Sequence, residues 1–168
     1  QRCYVRVTPG VEAHTHEFVK TGQEDSKFGL SVASGDAEAA LGRARASEHM
    51  QLVGLHMHIG SQIFDAASYD KAVSLIAPLV NAQGLDELSV GGGLGVPYVA
   101  GEVAPTIRVW GAAVKRACEA AGIRARVSGE PGRAIVAVAA LTLYRVGTIK
   151  RLEGIRTYVA VDGGMSDN

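Results

Sequence analysis

The sequence predicts an α/β fold: a parallel sheet with helices on its outer side, giving way near the C-terminus to a short β-rich stretch. Three observations lead there. Extended, β-branched segments alternate with helical patterns through residue 133. Several of those extended segments end in polar turns that contain glycine. After Arg133 the alternation stops, and two apolar segments follow with only a polar turn between them. The expected division is therefore residues 1–133 and residues 134–168.

Taken in order, "CYVRVTPGV" is an extended β-branched run closed by a Pro-Gly turn. From Asp36, "DAEAALGRARASEH" opens on a good N-cap residue and sets Ala37, Ala40, Leu41 and Ala44 on one helical face. "QLVGLHMHIG" is the next strand. A helix starting near Asp65 carries Tyr69, Ala72, Val73, Ile76 and Val80 at helical spacing, with Pro78 expected to kink or shorten it. "ELSVGGG" is a short strand running into three glycines. Pro105 opens a third helix, with Ile107, Trp110, Val114, Ala117 and Ala121 in register and Gly122 as its stop. "RARVSGE" is again a strand. "AIVAVAALTLYRVGTIKRLEG" and "IRTYVAVDGG" then predict two strands joined by a hairpin near Arg151 to Gly154, with no helix between. "TGQEDSKFG", rich in glycine and charge, predicts a mobile loop.

Such parallel strands either close into an eightfold barrel or lie in an open doubly wound sheet. A complete barrel takes ~250 residues, so 168 residues hold about half of one. Half a barrel leaves an inner face uncovered. The chain begins at Gln1 inside a strand and stops at Asn168 in mid-turn. It is therefore expected to be a piece of something longer.

Seventeen basic residues balance seventeen acidic ones, so no net field favours nucleic acid or an anionic membrane as a partner. The apolar runs are too short to span a bilayer. Cys3 and Cys118 make no disulfide framework and have no zinc-ligand spacing, which fits a reduced, cytoplasmic setting.

Chemistry gathers at three turns. In "LVGLHMHIG", alternation places Val53, Leu55, Met57 and Ile59 on one face and Gly54, His56 and His58 on the other. The aliphatic face belongs under the helices, so the histidines point to the sheet's other side. His56 is expected to be a hydrogen-bonded core histidine. His58, at the C-terminal end where active sites of parallel α/β folds lie, is expected to be functional. No third ligand follows at a useful spacing, so no metal site is expected. Second, Gly91, Gly92 and Gly93 follow a strand directly, where consecutive amides can enclose a phosphate. Their spacing matches neither the dinucleotide nor the nucleoside-triphosphate fingerprint. Ser61 falls at a strand end of the same kind. Third, in "SGEPGR", Pro131 and Gly132 fix a turn that aims Glu130 and Arg133 from a rigid edge. A surface ion pair is the plain alternative, but three polar turns in succession favour one shared site.

With these turns in view, the sequence resembles the fold-type III pyridoxal-phosphate decarboxylases. "TGQEDSKFGL", "GLHMHIGSQ", "VGGGLGVPY", "GEPGRAIVA" and "VDGGMSDN" occur in that family's order and span essentially the whole chain. The Gln of "HIGSQ" and the "DGGMSDN" ending resemble the diaminopimelate branch rather than the ornithine branch.

The resemblance implies a partial (β/α)8 TIM-type barrel, about its second half, running into the start of a C-terminal β domain. It implies pyridoxal 5'-phosphate as cofactor, meso-diaminopimelate as substrate, L-lysine as product, and a homodimer. His58 would stack on the pyridine ring. Ser61 and the amides around Gly91, Gly92 and Gly93 would hold the phosphate. Glu130 would meet the ring nitrogen, with Pro131 shaping the turn. Gly132 would add a backbone contact, and Arg133 would reach the phosphate or a substrate carboxylate. The family's Schiff-base lysine and catalytic cysteine match no residue here, so these 168 residues alone are expected not to catalyse decarboxylation. Lys27, in "SKFG", is expected to be structural or at an interface, and Cys118 to be packing. A non-enzymatic half-barrel for a phosphate-bearing ligand, or an arginine or ornithine decarboxylase, is the alternative.

Overall fold

Side-chain alternation, carried through the register of five parallel strands, decides what each face of the sheet does. The computed structural model describes residues 1–11, 26–164 and 166, and separates two units, Gln1–Ile135 and Val136–Asn168. The first unit contains strands β1 (Arg2–Thr8), β2 (Leu30–Ser31), β3 (Gln51–Met57), β4 (Glu87–Ser89) and β5 (Arg126–Ser128). Helix α1 (Asp36–Ala46) precedes β3, α2 (Ala67–Gln83) precedes β4, and α3 (Ile107–Ala120) precedes β5. A five-residue helix, α4 (Gly132–Val136), spans the boundary between the units. The sheet order is β2-β1-β3-β4-β5, with β2 and β5 as its edges.

Partnered residues of parallel strands point to the same side. Val5 pairs with Leu55, Leu55 with Leu88, and Leu88 with Val127. Val5, Leu55 and Leu88 of that row, with Met57, lie under the helices, where Leu41, Val73, Ile76, Val80, Trp110 and Val114 join them in one core; Val127, on the edge strand, stays exposed. Each aliphatic side chain fully buried there contributes about 1.5–3 kcal/mol relative to exposure. The rows between face the other way and are polar. Tyr4, Gly54, Glu87 and Arg126 form one; Arg6, His56, Ser89 and Ser128 form the next.

Four local expectations change. Asp36 is the first residue of α1 rather than its cap; Gly35 takes the cap position with φ +83, a left-handed conformation suited to glycine. Helix α3 starts at Ile107 rather than Pro105, because the Thr106 side chain caps it by accepting from the Val109 amide at 3.2 Å. Pro78 does not shorten α2, which continues to Gln83. Its ring sits on the exposed side while Ile76, Ala77, Leu79 and Val80 are buried. Their burial offsets a cost of about 3 kcal/mol for an interior proline.

The fourth change is at residues 132–145. In place of a continuous strand, α4 is followed by a 3-10 turn at Ala137–Ala139, and β6 begins only at Val146. An apolar run without clear period is ambiguous between helix and strand. In the second unit, β6 (Val146–Leu152) and β7 (Arg156–Val161) form the expected antiparallel hairpin. Of the expected mobile loop, residues 21–25 lie outside the described residues. Its end is described: Arg6 and Lys27 place their cations 4.9 and 5.1 Å from the centre of the Phe28 ring. Cys118 is buried in the core, as its helical face implies, and that burial raises its thiol pKa.

Candidate active site

At the C-terminal ends of β3, β4 and β5 the three polar turns meet. Alternation carries His58 onto the polar face, and its Nδ1 accepts from the Gly92 amide at 3.3 Å. That bond leaves the ring proton to Nε2. Burial, followed by the charges of Arg6 and His56, lowers the His58 pKa; Glu130 and the Gly60 backbone oppose them. The result is a half-buried, neutral imidazole, suited to lying against a flat aromatic ring.

The glycine run is shaped by close packing. A Cβ on Gly92 would overlap the carbonyl oxygen of Glu130, one on Gly91 that of Met57, and one on Gly93 that of Gly60. Gly91 and Gly93 also have φ of +70 and +93, which side-chain-bearing residues rarely adopt. The glycines let three strand ends approach within contact. The Gly91 amide donates to Ser89 Oγ at 3.3 Å and the Gly92 amide to His58, so both are engaged within the fold. Gly93 is half-buried, whereas Gly91 and Gly92 are buried.

Two residues from the helical side brace this turn. The fully buried Tyr69 of α2 donates its hydroxyl to the Gly92 carbonyl at 2.8 Å, and Trp110 packs against Tyr69 edge-on with ring centres 5.7 Å apart. Trp110 also fills the space where a Gly129 side chain would be. The turn after β3 is tied to the loop after β4 by Gln62, which donates to the Val96 carbonyl at 3.0 Å and accepts from the Val96 amide at 2.9 Å. Ile63 and Leu94 form a parallel bridge beside it. Ser61, half-buried, stands within this braced turn.

Glu130 completes the cluster. Its amide donates to the Gly91 carbonyl at 2.7 Å, and its own carbonyl accepts from Gly132 at 2.8 Å around Pro131. Its side chain, 57% exposed, accepts from Ser89 Oγ at 2.6 Å and lies 3.5 Å from His56 Nε2. The Ser89 hydrogen bond first, then the charge of His56, hold the carboxyl below its ordinary range despite partial burial. Arg133, exposed, sits over the Tyr98 ring at 5.9 Å.

His58, Gly92 and Glu130 thus meet at one end of the sheet, with Ser61 and Arg133 in the adjoining turns. Sequence reasoning did not find Ser89, Tyr69 or the pairing of His56 with Glu130. The signal for Ser89 was present, since Leu88 under the helices implies that its neighbour faces the other way. Among the described residues, no three His, Cys, Asp or Glu side chains group as a metal site. No helix among them is long and apolar enough to cross a membrane.

A neutral imidazole face, an ionised carboxylate, a serine hydroxyl and a guanidinium on neighbouring turns suit a flat heteroaromatic ring with a basic nitrogen and an anionic arm. The sequence model of the pyridoxal-dependent decarboxylases, pyridoxal binding domain, matches residues 1–137. The chain belongs to this family, and its cofactor is pyridoxal phosphate.

Among its relatives, diaminopimelate decarboxylase of Staphylococcus aureus is 46% identical over 171 residues, covering 98% of this chain and 41% of the relative. The Mycobacterium leprae enzyme of the same name is 46% identical over 188 residues, covering 100% and 40%. The crystal structure of Helicobacter pylori diaminopimelate decarboxylase complexed with L-lysine superposes with a TM-score of 0.78 at 30% identity, covering 99% of this chain and 41% of that one. The chain therefore spans about two fifths of the length of the curated relatives it matches. Its parallel α/β architecture is that of the barrel domain in these structures.

Proposed function

We propose that this chain is the cofactor-holding part of a carboxy-lyase that converts meso-diaminopimelate to L-lysine. Residues 1–133 would be the partial barrel, and residues 134–168 the connection and first strands toward a C-terminal β domain. The observation that carries this is the meeting of His58, Gly92 and Glu130 at one sheet end in a chain of this family. Lysine is bound in the Helicobacter pylori structure named above, which supports the product.

When bound, pyridoxal phosphate supplies a ring that takes up the electron pair left as carbon dioxide departs. His58 would face the ring and, being neutral, would add no charge there. Glu130, ionised, would hold a proton at the ring nitrogen and so favour that electron uptake. Ser61 and the Gly93 amide bind the phosphate, while Gly91 and Gly92 shape the turn that presents them. Gly132 adds a backbone contact, Pro131 keeps the turn tight, and Arg133 offers its planar fork to the phosphate or a substrate carboxylate. The Schiff-base amine comes from chain outside these residues. Lys71 and Lys115 are exposed on α2 and α3, Lys27 covers Phe28, Lys150 lies in β6, and Lys20 lies outside the described residues. We also infer a cytoplasmic homodimer, from the family resemblance and the balanced charge.

The test is carbon dioxide release by the complete gene product carrying this chain, given meso-diaminopimelate, arginine, ornithine or lysine in turn. Release from meso-diaminopimelate alone is expected. Preference for arginine or ornithine would move the protein to another branch, and no release from any would favour a binding role.

A further inference from the structure

Glu130 is approached from two sides by Ser89 and His56. Ser89 and His56 are direct partners across β4 and β3, both on the polar face. Ser128 of β5 pairs with Ser89, and Glu130 follows two residues later, so its carboxylate reaches back over the serine. Ser89 is 4% exposed. Its oxygen accepts from the Gly91 amide at 3.3 Å, and its single proton goes to Glu130 Oε1 at 2.6 Å. His56 Nε2 addresses the other oxygen, Oε2, at 3.5 Å. With Ser89 bonded to one oxygen and His56 beside the other, two strands restrict the orientation of the carboxylate. Its 57% exposure leaves the outward lone pairs open to a ligand.

We propose that Ser89 and His56 are positioning residues that fix the orientation of Glu130, so that its carboxylate meets the cofactor's ring nitrogen in a single geometry. This rests on the role given to Glu130 above. A glutamate on a turn has several rotamers of similar energy, and only those aimed at the ring nitrogen hold its proton. A carboxylate already oriented loses little freedom when the ring arrives. Ser89 also lowers the Glu130 pKa, so the acid remains the acceptor in that bond. His58, on the adjoining residue row, needs no comparable clamp because the Gly92 amide fixes its ring directly.

The test uses the complete gene product loaded with pyridoxal phosphate labelled with 15N in the ring, and the variants Ser89→Ala, His56→Phe, Glu130→Gln and Ser89→Ala/Glu130→Gln. In the parent, the ring nitrogen should give the shift of a protonated pyridinium. Ser89→Ala should move it toward the unprotonated shift and lower kcat about tenfold, the worth of one hydrogen bond to a charged group, and His56→Phe should move it the same way by less, with KM little changed in both. Adding Ser89→Ala to Glu130→Gln should have no further effect, whereas a merely structural serine would cost the same in both backgrounds.

If Glu130→Gln itself leaves the ring signal in place, the role of Glu130 fails. If Glu130→Gln moves the signal but Ser89→Ala and His56→Phe do not, the clamp alone is overturned. Should Ser89→Ala fail to fold, the His56→Phe spectrum decides, since the His56 side chain is partly exposed.

Discussion

Glu87 and Glu130 stand at opposite ends of the same polar face, one at the start of β4 and the other just past the end of β5. Glu87 is enclosed: Arg2 and Arg126 both reach Oε1, at 2.8 and 2.7 Å, Tyr4 donates to Oε2, and its side chain is 11% exposed. Glu130 has one short bond, one longer contact and 57% exposure. The Tyr4 hydroxyl, then the Arg126 guanidinium, hold the Glu87 carboxyl at about 2. The same carboxylate raises the Tyr4 pKa in return. A carboxylate whose acceptor sites are taken up by its own chain does structural service. One fixed in direction but left open outward is ready for a ligand, and active sites concentrate at the end of parallel α/β sheets where Glu130 lies.

Exchanging each acid for its amide should separate the two roles. Glu130→Gln should lower kcat of the complete protein roughly 100- to 1,000-fold, as expected for loss of a preorganised electrostatic partner, with little change in Tm. Glu87→Gln should do the reverse, lowering Tm and leaving kcat near the parent's. Equal losses of activity would erase the distinction.

Next in size is Gly92→Ala. The new methyl would overlap the Glu130 carbonyl oxygen, so the ends of β4 and β5 must part. Urea denaturation should register about 1–3 kcal/mol of lost stability, and titration should register weaker pyridoxal phosphate binding.

The acid limb of stability should trace to Glu87. Its carboxyl has a lower pKa folded, about 2, than the ordinary value of 4.5 expected unfolded. Its contribution is then complete above about pH 4.5 and lost as pH falls toward 2. In Glu87→Gln, the decline of Tm across that window should be shallower than in the parent. The smallest effect expected is that of Tyr69→Phe, which keeps the ring against Trp110 and removes the bond to Gly92. A loss of about 1 kcal/mol is expected in the same urea measurement.

What could be read in the sequence follows the range of the interactions. The His58 side of the sheet was legible because Val53, Leu55, Met57 and Ile59 set an aliphatic alternation that only one face can bury. The glycine run and the "SGEPGR" turn announced themselves by residue type. The Ser89–Glu130–His56 contact was not legible, because it depends on the register of three strands separated by helices of different length. The caps of α1 and α3 shifted by a residue or two, since Gly35 and Thr106 compete with Asp36 and Pro105 for the same work. The run after Arg133 misled because Ile135, Val138, Leu141 and Leu143 have no period that a sheet face would impose, and all four are exposed.

The central claim is that three strand ends hold one cofactor ring. A crystal structure of the complete protein with pyridoxal phosphate tests it most directly. The ring should lie with His58 against its face, the Glu130 carboxylate about 2.6–3.2 Å from the ring nitrogen, and the phosphate beside Ser61 and Gly93. A ring bound away from these turns, or a Glu130 carboxylate directed away from the ring nitrogen, would contradict it.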